Sequence, residues 1–121
     1  MKLKHFKLEE FICPCCGQCD MNEEFLKRLD KAREIAGVPF HINSGYRCKE
    51  HNKSVGGSPN SSHLKGLAVD VRTTTIKNRY AILKALLSVG FSRFGIGKSF
   101  IHVDIDKDKT QNIIWDYYEK H

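Results

Sequence analysis

Two histidines and an aspartate stand out for what they could do together. His63 and Asp70 belong to Ser61-Ser62-His63-Leu64-Lys65-Gly66-Leu67-Ala68-Val69-Asp70, and Ile101-His102-Val103-Asp104 supplies a second imidazole. Two ring nitrogens and a carboxylate oxygen suit a catalytic Zn2+, because three protein ligands leave a fourth coordination position open. A zinc ion so held polarises a carbonyl and brings the pKa of its water towards ~7, which is hydrolysis without a nucleophilic side chain. Taken singly, each residue has a plainer reading: His63 a solvated loop histidine, Asp70 a strand-end carboxylate beside Arg72, His102 a satisfied core histidine. Their combination in a Ser-x-His-x-x-Gly-x-Ala-x-Asp frame, with Gly66 and Ala68 keeping the site uncrowded, favours the metal reading. His5, His41, His51 and His121 sit in no such pattern.

Around this triad stand residues of supporting chemistry. Residues two apart on a strand share a side, so Asp104 falls beside His102, where it can take a proton or hold the imidazole in one tautomer. Asp106 is a weaker candidate for the same work, and Asp108 among lysines reads as an exposed charged turn. Arg47 offers a planar fork of donors that matches a substrate carboxylate, or an ion pair that fixes its own loop. Ser44 and Tyr46 suit the bonding and packing of that loop, and Ser61 suits hydrogen-bond support of the site and contact with substrate. Trp115, Tyr117 and Tyr118 either line a groove or pack against the sheet.

The five cysteines make an odd count in a chain without an export signal, so a full disulfide framework is not expected. Cys13, Cys16 and Cys19 have ligand-like spacing and, with Cys48, are candidates for a second, structural zinc. Free thiols are the alternative, and Cys15 reads as the spare sulfur.

These residues need elements to position them. Phe25, Leu29, Ala32 and Ala36 recur at helical spacing over Glu23 to Ala36, with Asp20 or Asn22 as cap and Gly37 as stop. A short strand is expected near Phe40 to Asn43 and a brief helix from Cys48 to Val55, ending at Gly56-Gly57. Leu67, Val69 and Val71 alternate with Ala68, Asp70 and Arg72, so Asp70 lies on the opposite side of a strand from Val69. Ile76, Tyr80, Leu83, Leu86 and Leu87 predict a helix over Thr75 to Val89, and Phe94 to Gly97 and Phe100 to Asp106 predict two further strands. The expected fold is α+β, a small, mostly antiparallel sheet flanked by helices.

With 121 residues and 40% hydrophobic composition, one domain over residues 1–121 is expected, the cysteine-containing segment 1–21 packing on it. Its formal net charge of +6 favours anionic partners. The basic residues are scattered, with no recognition helix or aromatic interleaving, so nucleic acid is not an expected partner. No apolar run approaches the ~20 residues that span a bilayer, and residues 1–12 lack a signal-peptide core. The expected product is a cytoplasmic, soluble monomer without membrane insertion.

Phe11-Ile12-Cys13, Asn43-Ser44-Gly45-Tyr46-Arg47-Cys48, His51-Asn52 with Val55-Gly56-Gly57, the His63 to Asp70 frame and His102-Val103-Asp104 occur in one order. Together, from Phe6 to about Tyr118, they resemble the M15 family of zinc peptidases, closest to short phage and bacterial members. The resemblance implies a hedgehog/DD-peptidase-like fold, one catalytic Zn2+ on His63, Asp70 and His102, and peptidoglycan peptides as partners. It implies D-Ala-D-Ala carboxypeptidase, L-Ala-D-Glu endopeptidase or cross-bridge endopeptidase activity. It also implies action on the cell wall after release or from a virion, as in a phage endolysin. Arg47 matches a family arginine that helps bind substrate carboxylates. Better-known members carry an acid three positions before the last histidine ligand, where this chain has Ser99, and Asp104 is the substitute for that base. The same departure supports an alternative, a non-catalytic, zinc-stabilised wall-binding or virion assembly module.

Overall fold

The computed structural model describes residues 2–118, so His121 lies outside the described residues. Five strands form one sheet: β1 (His41–Ser44), β2 (Ala68–Arg72), β3 (Arg93–Ile96), β4 (Phe100–Asp104) and β5 (Ile113–Asp116), in spatial order β1-β2-β4-β3-β5. Every pairing is antiparallel except β3 with β5. Three α-helices, α1 (Glu23–Ala36), α2 (Lys49–Ser54) and α3 (Ile76–Ser88), and two 3-10 turns, Leu8–Phe11 and Ser62–Lys65, complete the α+β fold.

Local chemistry explains most boundaries. Asn22 caps α1 by accepting the Phe25 amide at 2.9 Å, and Gly37 ends it in the left-handed conformation, φ 69°, that glycine adopts without strain. Thr75 caps α3 through the Asn78 amide. The alternation in β2 sends Val69 and Val71 inward, where Phe94, Ile101 and Val103 from the neighbouring strands join them. Phe25, Leu26, Leu29 and Ala32 of α1, with Ile82, Ala85 and Leu86 of α3, cover that side, and Phe6, Phe11 and Phe40 extend the core. Burying about 1.5–3 kcal/mol of side chain at each large position drives this assembly.

Two expectations change. Of the apolar residues expected along α3, Leu86 is buried and Leu83 packs against the core, but Ile76, Tyr80 and Leu87 are exposed, and Ile82 and Ala85 complete the buried side. This helix carries apolar residues on more than one side, so period alone does not choose the side that meets the sheet. The strand at Ile113–Asp116 is an addition, because its Ile-Ile-Trp-Asp run lies among charged and turn residues and acquires strand form by pairing with β3. Among the described residues no helix is long and apolar enough to cross a membrane.

Candidate metal centre

Sheet register builds the site. Opposed residues on paired strands point to the same side. Ser44 faces Asp70, Asp70 faces His102, His102 faces Gly95, and Gly95 faces Trp115, so one row crosses all five strands on the side away from the helices. His63 reaches this row from the turn before β2, where Ser61 Oγ accepts its amide at 3.2 Å and Gly66, at φ 69°, ends the turn. A Cβ on Gly66 would lie 1.8 Å from the Asp20 carbonyl oxygen, so this turn is pressed against the entry to α1. Only glycine meets both demands.

Asp70 Oδ1 is 3.0 Å from His102 Nδ1 and 3.4 Å from His63 Nε2. One atom from each residue lies within 4.8 Å of the others. A tetrahedral ion bonded at about 2.1 Å to each donor needs neighbours about 3.4 Å apart, so the donor set and its spacing fit Zn2+. The opposite ring nitrogens are engaged: His63 Nδ1 donates to Gly45 O at 2.8 Å, and His102 Nε2 donates to Asp104 Oδ2 at 2.8 Å. Such bonds fix the tautomer that leaves the inner nitrogen able to accept a metal.

Charge is arranged to match. Burial opposes the charge of Asp70, yet hydrogen bonds from His102 and His63 hold its carboxyl well below the usual carboxylate range. Burial pulls His102 down, but Asp104 and Asp70 at its two nitrogens outweigh this and raise it. Asp104, 1% exposed, resists ionisation through burial and is nonetheless lowered by His102, the Asp106 amide and Arg93. Its Oδ1 receives Arg93 Nε at 2.7 Å and the Asp106 amide at 3.0 Å, so both carboxylate oxygens are engaged. Arg93 also donates to the Thr110 carbonyl and lies over Trp115, its Cζ 5.0 Å from the ring centroid.

Arg47 stands at the rim of the same site. Its Nε donates to Ser44 Oγ at 3.0 Å, Nη1 to Asn52 Oδ1 at 3.3 Å and Nη2 to Asp70 Oδ2 at 3.4 Å. With five N–H groups, it retains two. Arg47, Ser61, His63, Asp70, His102 and Tyr117 are among the residues that line a cleft of about 380 Å³. Trp115, half-buried beside His102 with ring centroids 5.5 Å apart, and Tyr117, half-exposed, wall the far side. Gly95 makes room for them, since a Cβ there would meet Tyr117 Oη at 2.5 Å and Trp115 Nε1 at 2.6 Å. Tyr118 is exposed and donates to Gly97 O.

Other candidates settle elsewhere. Asp106 is buried under Ser62, Lys65 and Lys109, and Asp108 is an exposed partner of Lys65. Ser99 is exposed on the turn before β4. Cys13, Cys16 and Cys48 gather away from the triad, whereas Cys19 packs against the hydrophobic core. Arg93 was not singled out by sequence reasoning, and its only signal is its place on a strand whose partner residues could not be read in advance.

Among families of known proteins, the model described as Peptidase M15 matches residues 4–106. No curated protein matches the chain significantly.

Proposed function

The chain belongs to the peptidase M15 family, and on that premise we propose that it is a zinc-dependent metallopeptidase that hydrolyses peptide bonds in bacterial peptidoglycan stem peptides or cross-links. The observation that carries this reading is the convergence of His63 Nε2 and His102 Nδ1 on one oxygen of Asp70, at 3.4 and 3.0 Å, in a cleft rimmed by Arg47. When bound, Zn2+ supplies Lewis acidity, polarising the scissile carbonyl and easing deprotonation of water.

The chain's own residues do the rest. His63, Asp70 and His102 hold the ion. Arg47 steadies Asp70 through Oδ2 and turns its remaining N–H groups to a substrate carboxylate, of which wall peptides carry several. Asp104, with both oxygens engaged, acts as a positioning residue that keeps the His102 Nε2 proton in place. Ser61 orders the His63 turn, and Trp115 and Tyr117 exclude water beside His102. The setting proposed is cell-wall lysis by a phage or prophage product, as a monomer reaching the wall after release or within a virion.

A second reading has its own support: the acids that line the cleft are Asp70 and Asp104, both already bonded, and Ser99 supplies none. A wall-binding module that keeps zinc for stability would look the same. Zinc-loaded full-length protein incubated with purified sacculi and defined muropeptides, with products identified by mass spectrometry, separates the two. Release of a defined peptide fragment, abolished by His63→Ala, is expected and would name the bond cut. Retention on sacculi with no cleavage of any muropeptide would overturn the enzymatic reading in favour of the module.

A further inference from the structure

A second group of soft ligands lies on the other side of the loop that carries Arg47. Cys13 and Cys48 place their sulfurs 3.7 Å apart, and the sulfurs of Cys13, Cys16 and Cys48 all lie within 4.8 Å of one another. Cys13 to Cys16 is a Cys-x-x-Cys step wound into a tight turn: Gly17 N donates to Cys13 O, Cys13 N to Gln18 O, and Gly17 takes φ 73° to reverse the chain. Backbone amides meet two of these sulfurs: Cys13 Sγ accepts that of Cys48, and Cys48 Sγ that of His51. Burial pushes the Cys13 thiol up, but the nearby backbone amides of Cys48, Cys16 and Cys15 outweigh it and bring it down to about 7. Amides directed at sulfur favour the thiolate, the form that binds metal.

We propose that Cys13, Cys16 and Cys48 bind a structural Zn2+ or a similar thiophilic divalent ion. Each thiol gives its proton to solvent as its sulfur binds. Three thiolates are a softer donor set than the two imidazoles and carboxylate of the triad, which suits a structural site. The cysteine set is narrower than the one that spacing suggests, because Cys19 turns to the core.

The position gives the ion a task. Tyr46 N donates to Phe11 O, and a Cβ on Gly45 would lie 2.8 Å from Phe11 Cα, so the loop 44–48 already lies on the segment 11–17. An ion bridging Cys13, Cys16 and Cys48 fastens the two. That loop supplies the Gly45 carbonyl that orients His63 and the Arg47 guanidinium beside Asp70. The site itself does not depend on the peptidase reading.

The test is metal content and cobalt spectroscopy of the full chain, reduced and loaded anaerobically with Co2+. Two ions per chain are expected, with sulfur-to-cobalt charge transfer in the near ultraviolet. Doubly substituted His63→Ala/His102→Ala protein keeps the charge transfer and one ion. Cys16→Ser loses the charge transfer and keeps the other ion, and Cys19→Ser matches the parent. Charge transfer that survives Cys16→Ser, or disappears with Cys19→Ser, overturns the assignment, as does a Cys13–Cys48 disulfide in place of metal in freshly isolated protein. Should Cys16→Ser fail to fold, alkylation of the parent protein decides: Zn2+ should shield the exposed Cys16 from reagent until a chelator is added, and labelling indifferent to zinc refutes the site.

Discussion

Replacing Asp104 with Asn separates two tasks open to a carboxylate beside His102. The amide preserves shape but removes the charge and one acceptor, so either His102 Nε2, now 2.8 Å from Oδ2, or Arg93 Nε, now 2.7 Å from Oδ1, must face an NH2 group. Arg93 is itself buried under Trp115 and cannot turn to water. Removing one partner of a buried pair costs about 3–5 kcal/mol, which lowers the melting temperature of a domain this size by on the order of 15 °C. Loss of the group that fixes a ligand's tautomer weakens metal binding by about 10–100-fold. The assay is peptidase rate as a function of free zinc, beside zinc competition with a chromophoric chelator and a thermal melt. If Asp104 positions His102, the variant binds zinc more weakly and recovers most of its rate at saturating metal. If Asp104 is the general base, the fully loaded variant stays about 10²–10⁴-fold slow. Unchanged zinc affinity together with an unchanged melt would refute the reasoning, because both follow from the same two contacts.

Three further outcomes are expected. In the metal-free chain His102 is raised above the ordinary 6.5, so its contribution to stability is complete below about that pH and fades as pH climbs through the raised value. Asp70 and Asp104 are lowered from 3.8, so theirs persists above that pH and is lost only as acid passes through the lowered values. The His102 ring of metal-free protein, followed by NMR, should therefore titrate above 6.5, while zinc affinity rises with pH as the ion displaces its proton; a ring titrating at or below 6.5 would reject the His102 assignment. Gly66→Ala combines a left-handed backbone with a Cβ 1.8 Å from the Asp20 carbonyl oxygen, and should destabilise by on the order of 3 kcal/mol or more, read by denaturant unfolding. A near-neutral value would mean that the turn is not pressed against α1. Arg47→Lys replaces the fork by a point charge, and losing a charge-assisted hydrogen bond of about 1.5–3 kcal/mol should cut kcat/KM about 10–100-fold, chiefly through KM. An unchanged KM would leave Arg47 only its bonds to Ser44, Asn52 and Asp70.

The parts of this protein that follow from the chain alone are those governed by short-range geometry. A strand period of two places Asp70 opposite Val69 and Asp104 beside His102, helical spacing and caps define α1, and the frame around Gly66 carries His63 into the same turn. Residue types then name the chemistry, because two imidazoles and a carboxylate suit a zinc ion wherever the fold brings them together. What the tertiary structure decided is who stands next to whom across the sheet. Strand order β1-β2-β4-β3-β5 puts β3 beside β4, which gives Asp104 the Arg93 guanidinium and changes what that carboxylate is free to do. The parallel addition of β5 brings Trp115 and Tyr117 over Gly95, and the turn at Gly17 gathers Cys16 with Cys13 and Cys48 while Cys19 packs against the core. Such neighbours are set by hydrogen-bond register between distant segments and by which apolar side of a helix the core accepts, and neither leaves a periodic mark in the local sequence.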